Sequence, residues 1–180
     1  MRKYAGHASM RDGHAFNAIA CAKMKALGWK THLEVTLSRI LARKLERYGD
    51  VDVLAWDPDS GRVLIMECKD LQFLKTYGEI AEQLMDFAGG TNRDGRRDDL
   101  RKHLDRVELL KSHAVDVARF LGLKGDCKIE NHLVFRNPVP MQFADGLLAQ
   151  CVRHTFDELD RNLCLGVGVG LRTTPPVGRQ

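Results

Sequence analysis

Three residues in the stretch 48–70 have the types and spacing for phosphoryl chemistry: Asp52, Glu67 and Lys69. Side chains on a strand repeat every two residues, so Glu67 and Lys69 share one face while Met66 and Cys68 turn to the other. Asp52 falls on the preceding strand, where a tight hairpin in the right register brings its carboxylate close to Glu67. Two carboxylates and a main-chain carbonyl, that of Cys68, make a hard oxygen set suited to Mg²⁺ or Mn²⁺. Such an ion lowers the pKa of a water and neutralises charge developing on a phosphate. Lys69 beside it can orient or deprotonate that water, or stabilise the phosphate electrostatically. The set suits phosphodiester hydrolysis, and it suits redox or acyl-transfer chemistry poorly. The same spacing also describes ordinary polar strand ends. Two features weigh against that reading. Glu67 and Lys69 directly continue the apolar run Val63-Leu-Ile-Met66, where an unpaired charge is expensive, and Asp52 is framed by Val51 and Val53.

The elements that must position these residues follow from periodicity. Val51, Val53 and Ala55 alternate with Asp52 and Leu54 as a two-faced strand requires. Asp57-Pro-Asp-Ser-Gly61 is a turn, with proline presetting one dihedral and glycine tolerating positive φ. The unbroken apolar run after it predicts a central strand covered on both faces. Before the hairpin, Phe16, Ile19, Ala20 and Leu27 share a face of a helix over 12–27 that Gly28 stops, with residues 1–10 loosely held ahead of it. Residues 29–36 read as a first strand, and 37–47 fit either a short helix or an extended connection.

After the hairpin, Thr76-Tyr-Gly-Glu79 is a capping box opening a helix to about residue 87. A glycine loop over 89–95 leads into one long amphipathic helix, 98–121, with Leu100, Leu104, Val107, Ala114, Val117 and Leu121 as its stripe. Residues 128–135 make another strand, and 144–160 carry Leu148, Val152, Phe156 and Leu159 at helical spacing. A glycine-rich tail over 165–180 reads as irregular. The order predicts a single α/β domain whose central mixed sheet of about four strands is flanked by helices, with its core over 12–160.

Composition sets the surroundings. Of 180 residues, 44% are hydrophobic and 29% charged, which is globular, and a formal charge of +4 permits a nucleic-acid partner without demanding one. Five cysteines without C-x-x-C spacing suggest neither a disulfide framework nor a zinc site. No apolar leader or membrane-length run is present, and the expectation is a soluble cytoplasmic protein.

Other candidates have competing explanations. Gln83 lies in the helix after the motif, either facing the site or as a polar boundary residue. Asp50 is a supporting acid or a turn residue, Glu34 fits a solvated face better than the site, and Glu79 is explained by its cap. The seven histidines show no ligand spacing, so none is assigned to a metal. Arg93, Arg96, Arg97, Arg101, Lys102 and Arg106 form the densest basic stretch, suited to phosphate contact. Interleaved Asp94, Asp98, Asp99 and Asp105 equally allow ordinary helix-face pairing. Nothing resembles a recognition helix for reading bases.

Gly49-Asp-Val-Asp52 followed by Glu67-Cys-Lys69 resembles the PD-(D/E)xK nuclease superfamily, and most its Mrr-like restriction endonuclease branch. The opening is similar too, through Phe16-Asn-Ala-Ile-Ala running to Lys25-Ala-Leu-Gly-Trp29. The resemblance is specific over residues 12–88 and topological beyond. It implies a restriction-endonuclease-like αβββαβ core, a divalent metal, Mg²⁺ or Mn²⁺, and hydrolysis of DNA in a defence or DNA-processing system. Asp52 and Glu67 would be metal ligands, Lys69 the catalytic lysine, and Gln83 a fourth member of the site. A homodimer is compatible with double-strand cutting, and the chain can belong to a longer protein or a multi-protein defence system. One departure stands out: the family often has an acid in the first helix where this chain has Asn17. The alternatives are RNA cleavage, exonuclease action, or a catalytically silent nucleic-acid-binding or scaffold module of the same fold.

Overall fold

A computed structural model describes residues 3–71, 76–85, 87–91, 95–143 and 146–164. The hairpin forms as its sequence pattern requires: β2 (Asp50–Asp57) and β3 (Arg62–Lys69) pair antiparallel, with Val53 opposite Met66 and Ala55 opposite Leu64. Its turn is closed by the Asp57 side chain, which accepts from Asp59 N–H at 3.1 Å. Gly61 ends the turn at φ 68°, and a Cβ there would lie 3.0 Å from the Asp126 carbonyl, so both backbone angle and space call for glycine.

Around this hairpin the chain lays a five-stranded mixed sheet in the order β1-β2-β3-β4-β5, one strand more than expected. β1 (Lys30–Thr36) is antiparallel to β2, while β4 (Lys128–Phe135) and β5 (Val152–Thr155) run parallel to β3. β3 is therefore the middle strand, and Val63, Leu64, Ile65 and Met66 have no exposed surface. A parallel β3–β4 pair needs a crossover, and three helices supply it: α3 (Tyr77–Met85), α4 (Asp99–Ser112) and α5 (Ala114–Leu121). The Thr76–Glu79 capping box opens α3 as read, with Glu79 N–H donating to Thr76 Oγ1 at 3.3 Å and Thr76 N–H to Glu79 Oε2 at 3.1 Å.

The two sheet faces carry separate apolar layers. α1 (Lys3–Ala26) covers one, placing Phe16, Ala20 and Met24 against Val53, Leu64, Met66 and Cys68. The other packs Leu54, Trp56, Val63 and Ile65 under Val107, Leu110, Val117 and Leu121 of α4 and α5. A third cluster joins Leu100 and Leu104 to Phe87, Leu133 and Phe135. Each fully buried Leu, Ile or Phe contributes roughly 1.5–3 kcal/mol through apolar area removed from water.

Three expectations need correction. The first helix begins at Lys3, so the chain ahead of residue 12 is helical rather than loosely held. The 98–121 helix is two helices that part at His113, where φ −123° and ψ 34° leave the helical range. Asp98 caps α4, and Gly122 closes α5 in the left-handed conformation as expected. Residues 144–160 are not one helix. They give a 3₁₀ turn (Gly146–Gln150), β5, a second 3₁₀ turn (Phe156–Glu158) and the start of α6 (Leu159–Cys164). The open edge of β4 recruits Val152–Thr155 into the sheet, and that pairing overrides local helical spacing. Residues 37–47 contain only the four-residue α2 (Leu37–Ile40). The 165–180 tail lies outside the described residues, and no described helix is long and apolar enough to cross a membrane.

Candidate active site

The β2–β3 ladder ends at the pair Val53 and Met66, and beyond it the strands are linked through a side chain instead. Asp52 Oδ2 accepts the Cys68 N–H at 2.8 Å. The N–H and C=O of one residue in an extended strand point to the same neighbour, so the Cys68 carbonyl also faces the Asp52 side. Asp52, Glu67 and Lys69 thus gather where the two strands separate, as their spacing predicts. The Cys68 thiol turns to the α1 layer, 5% exposed, and burial pushes its pKa up, so it stays a thiol.

Glu67 is 6% exposed and holds charge only because cations surround it. Lys69 Nζ lies 3.0 Å from Glu67 Oε1, and Arg106 of α4 donates from Nη2 to Oε2. Burial pushes the Glu67 carboxyl up, but Lys69 and Arg106 outweigh it and hold its pKa below the usual range. Lys69 also reaches Asp99 Oδ2 at 3.0 Å. Burial alone lowers its pKa, yet Glu67 and Asp99 raise it above that of a free lysine. It therefore keeps its proton. Of the roles open to Lys69, charge stabilisation and orientation fit this state, and deprotonating a water does not.

His103 completes the α4 side. Its Nε2 is 2.5 Å from Asn131 Oδ1, which makes Nε2 the donor, and Asn131 in turn donates to the Gln150 carbonyl at 3.3 Å. Burial at 1% exposure pushes the imidazole down to about 4. Its Nδ1, 3.6 Å from Glu67 Oε2, is therefore a neutral contact beyond hydrogen-bond length, not an ion pair.

Asp52 carries what the cations leave over. Burial, and then the charge of Glu67, push its carboxyl up to about 7, against the opposing pull of Cys68 N–H, Lys69 and Arg106. No described residue hydrogen-bonds its Oδ1. A buried acid held back from ionising by a second acid is chemically fitted to an added cation. Among the described residues no group of three or more His, Cys, Asp or Glu is placed around one ion position. Mg²⁺ does not require such a cage, since it is commonly held by one or two carboxylates and keeps several waters. Asp52, Glu67 and the Cys68 carbonyl fit it on that basis.

The remaining candidates separate. Gln83 lies on α3, but its side chain is outside the described residues, as is Arg93. Arg97 binds Asp105 at 2.6 Å, Arg101 binds Asp105 at 2.7 Å and Lys102 binds Asp99 at 3.0 Å, so this stretch is laced to its own acids. Arg96 is exposed and engaged as well. Arg106, read as part of that basic stretch, is instead buried on Glu67. Asn17 is buried, and its Nδ2 donates at 3.0 Å to Glu34 Oε1, so Glu34 is tethered rather than free on a solvated face.

Asp99, His103 and Arg106 were missed as site residues. Their spacing of four and then three places them on one face of a helix, beside Leu100, Leu104 and Val107. Charges on the apolar stripe of a helix were the available signal.

A family model described as anti-phage protein Upx-like matches residues 1–156. Comparison with curated proteins gives no match, and neither does comparison with solved structures.

Proposed function

The chain belongs to the Upx-like family of anti-phage proteins, and from that premise, which points to phage defence, we propose that it is a metal-dependent nuclease hydrolysing DNA. The observation that carries this is the paired carboxylate: Asp52 raised to about 7 by burial and by Glu67, with Lys69 held as a cation beside them. Mg²⁺ or Mn²⁺ at Asp52, Glu67 and the Cys68 carbonyl would supply Lewis acidity toward the phosphate.

The protein's own residues do the rest. Lys69 offers a fixed positive charge to a phosphate oxygen, and its two acidic partners keep it protonated across the working pH range. Arg106 holds Glu67 from the α4 side, and the buried, neutral His103 packs beside the same oxygen at 3.6 Å. Cys68 N–H fixes one oxygen of Asp52 and leaves the other for a ligand. DNA would approach from the basic segment containing Arg96, Arg97, Arg101 and Lys102, whose acidic pairing keeps that contact weak and independent of base sequence.

The test is cleavage of plasmid, linear and single-stranded DNA, and of RNA, with Mg²⁺ or Mn²⁺ against EDTA. Asp52→Asn and Glu67→Gln are expected to lose activity by about 10²-fold or more. Equal nicking by wild type and both variants would sink the proposal.

A second reading has one specific observation in its favour. Arg106 already neutralises Glu67, which suits a catalytically silent nucleic-acid-binding module in which arginine stands permanently as the cation. DNA binding that persists in EDTA, with no cleavage under any divalent ion, would select it.

A further inference from the structure

The site has a second wall that its acid–lysine motif does not announce. In the β1–β2 ladder Leu33 faces Val53 and Val35 faces Val51, so the register brings Glu34 level with Asp52, at a gap in the ladder where those two residues do not pair. Glu34 adopts φ 48°, a left-handed backbone for a non-glycine residue inside a strand. Two groups from α1 hold its side chain in that position. His14 Nδ1 lies 2.5 Å from Glu34 Oε1, and the buried Asn17 donates to the same oxygen at 3.0 Å.

A carboxylate accepts only, so the His14 proton at this contact sits on Nδ1, and the ring is oriented by Glu34. Its other nitrogen, Nε2, is turned away from Glu34 on a ring whose side chain is 65% exposed. The charged groups acting on this imidazole are Glu34 of β1 and Asp50 and Asp52 of β2, and all three favour its protonated form. A carboxylate-oriented imidazole, its pKa raised chiefly by Glu34, thus stands on the α1 side of the strands that carry Glu34 and Asp52, while Lys69 and Arg106 meet Glu67 from the α4 side.

We propose that His14, oriented by Glu34 and Asn17, is the general acid that protonates the leaving oxygen when a phosphodiester is hydrolysed at Asp52 and Glu67. The assignment rests on the nuclease reading. In the step, a water oxygen forms the new bond to phosphorus, and the bond from phosphorus to the leaving sugar oxygen breaks with its electron pair. That oxygen takes the Nε2 proton. The proton released by the attacking water passes to solvent, and the exposed imidazole regains one from solvent. Glu34 and Asn17 are positioning residues, since they reach the reaction only through the ring.

The experiment compares two substrates, plasmid DNA and bis(p-nitrophenyl) phosphate, whose nitrophenolate departs without needing a proton. His14→Gln is expected to slow DNA cleavage about 100-fold, and to slow the nitrophenyl diester at least about tenfold less than that. Glu34→Gln should act in the same direction and lower the pKa of the His14 Cε1–H resonance followed by NMR, a readout independent of activity. Equal losses on both substrates, an undiminished rate on DNA, or a His14 titration indifferent to Glu34→Gln would each overturn the assignment. Failure of the wild type to hydrolyse either substrate removes the nuclease reading and this assignment together. A His14→Gln variant as fast as wild type on DNA removes only the latter.

Discussion

Arg106→Met is the most informative single change, because it removes one of the two cations bonded to a carboxylate that is almost wholly removed from water. The Glu67 side chain is 8% exposed and that of Arg106 is 10% exposed. Breaking a buried ion pair by removing one partner typically costs about 3–5 kcal/mol, because the surviving charge is left uncompensated. Lys69 remains 3.0 Å from Glu67 Oε1, which places this case at the lower end. A loss of about 3 kcal/mol, in a chain of this length, lowers the melting temperature by roughly 6–12 °C. Methionine keeps most of the stem volume, so little of the loss comes from packing.

Glu67→Gln alone also destabilises, since Arg106 then sits buried without an acid; Lys69 still has Asp99. The double variant removes both charges together and should be no worse than Arg106→Met, giving a coupling of about 2 kcal/mol or more. Urea unfolding followed by circular dichroism in EDTA at pH 7.5 measures all four corners of the cycle. If the two single losses add to within about 0.5 kcal/mol, the pair is not coupled, and Arg106 does not hold the charge of Glu67.

Two further outcomes follow from the shifted acids and bases. Asp52 has a folded pKa of about 7 against 3.8, so its contribution to stability is fully present below pH 3.8 and is lost as pH rises to about 7. That amounts to roughly 4 kcal/mol at most, and Asp52→Asn should flatten this part of a denaturant-based stability profile; an unchanged slope would contradict the shift. His154 is the opposite case. Burial, and then the charge of His132, push it down to about 4, so its contribution is present above pH 6.5 and is lost as pH falls toward 4. His154→Asn should therefore reduce acid sensitivity in that window, measured by the same titration, and an identical acid limb would count against it.

Much of the fold was legible because several local signals agreed. The hairpin had alternation on β2, a proline–glycine turn and an unbroken apolar run for the central strand, and the resulting pairing brought Asp52 to Glu67. β4 was equally clear, bounded by its own apolar content and by Asn137-Pro. The missed break at His113 had no glycine or proline to mark it, and the apolar stripe continues through it at helical spacing. β5 was hidden for a different reason. Val152, Phe156 and Leu159 fit one face of a helix, and only the free edge of β4, a tertiary fact, turns the segment into a strand. Arg106 was hidden among arginines of the same local composition, and sequence proximity grouped it with residues that point outward. Glu34 was hidden because no propensity announces a positive φ at a glutamate.

Taken by charge, the site has a structure that neither the acid–lysine motif nor the basic stretch conveys alone. Glu67 receives Lys69 and Arg106 together, while Lys69 is shared with Asp99 and His103 is neutral. Lys69, Arg106 and Lys102 are therefore all committed to Glu67 and Asp99, and among the described residues no cation bonds Asp52, the third acid. Its high pKa comes from burial first and then from the charge of Glu67, with no bonded cation to offset them as Lys69 and Arg106 do for Glu67, which is more deeply buried yet stays below the usual carboxylate range. His14 is exposed, its pKa is raised by Glu34 first and also by Asp50 and Asp52, among the described residues Glu34 is the acid that bonds it, and it comes from the opposite sheet face to Arg106. A polyanion entering beside Asp52 would thus meet fixed positive charge from Lys69 on one side and a titrating one from His14 on the other. On the nuclease reading, that asymmetry would suit a site that transfers a proton as well as binding phosphate.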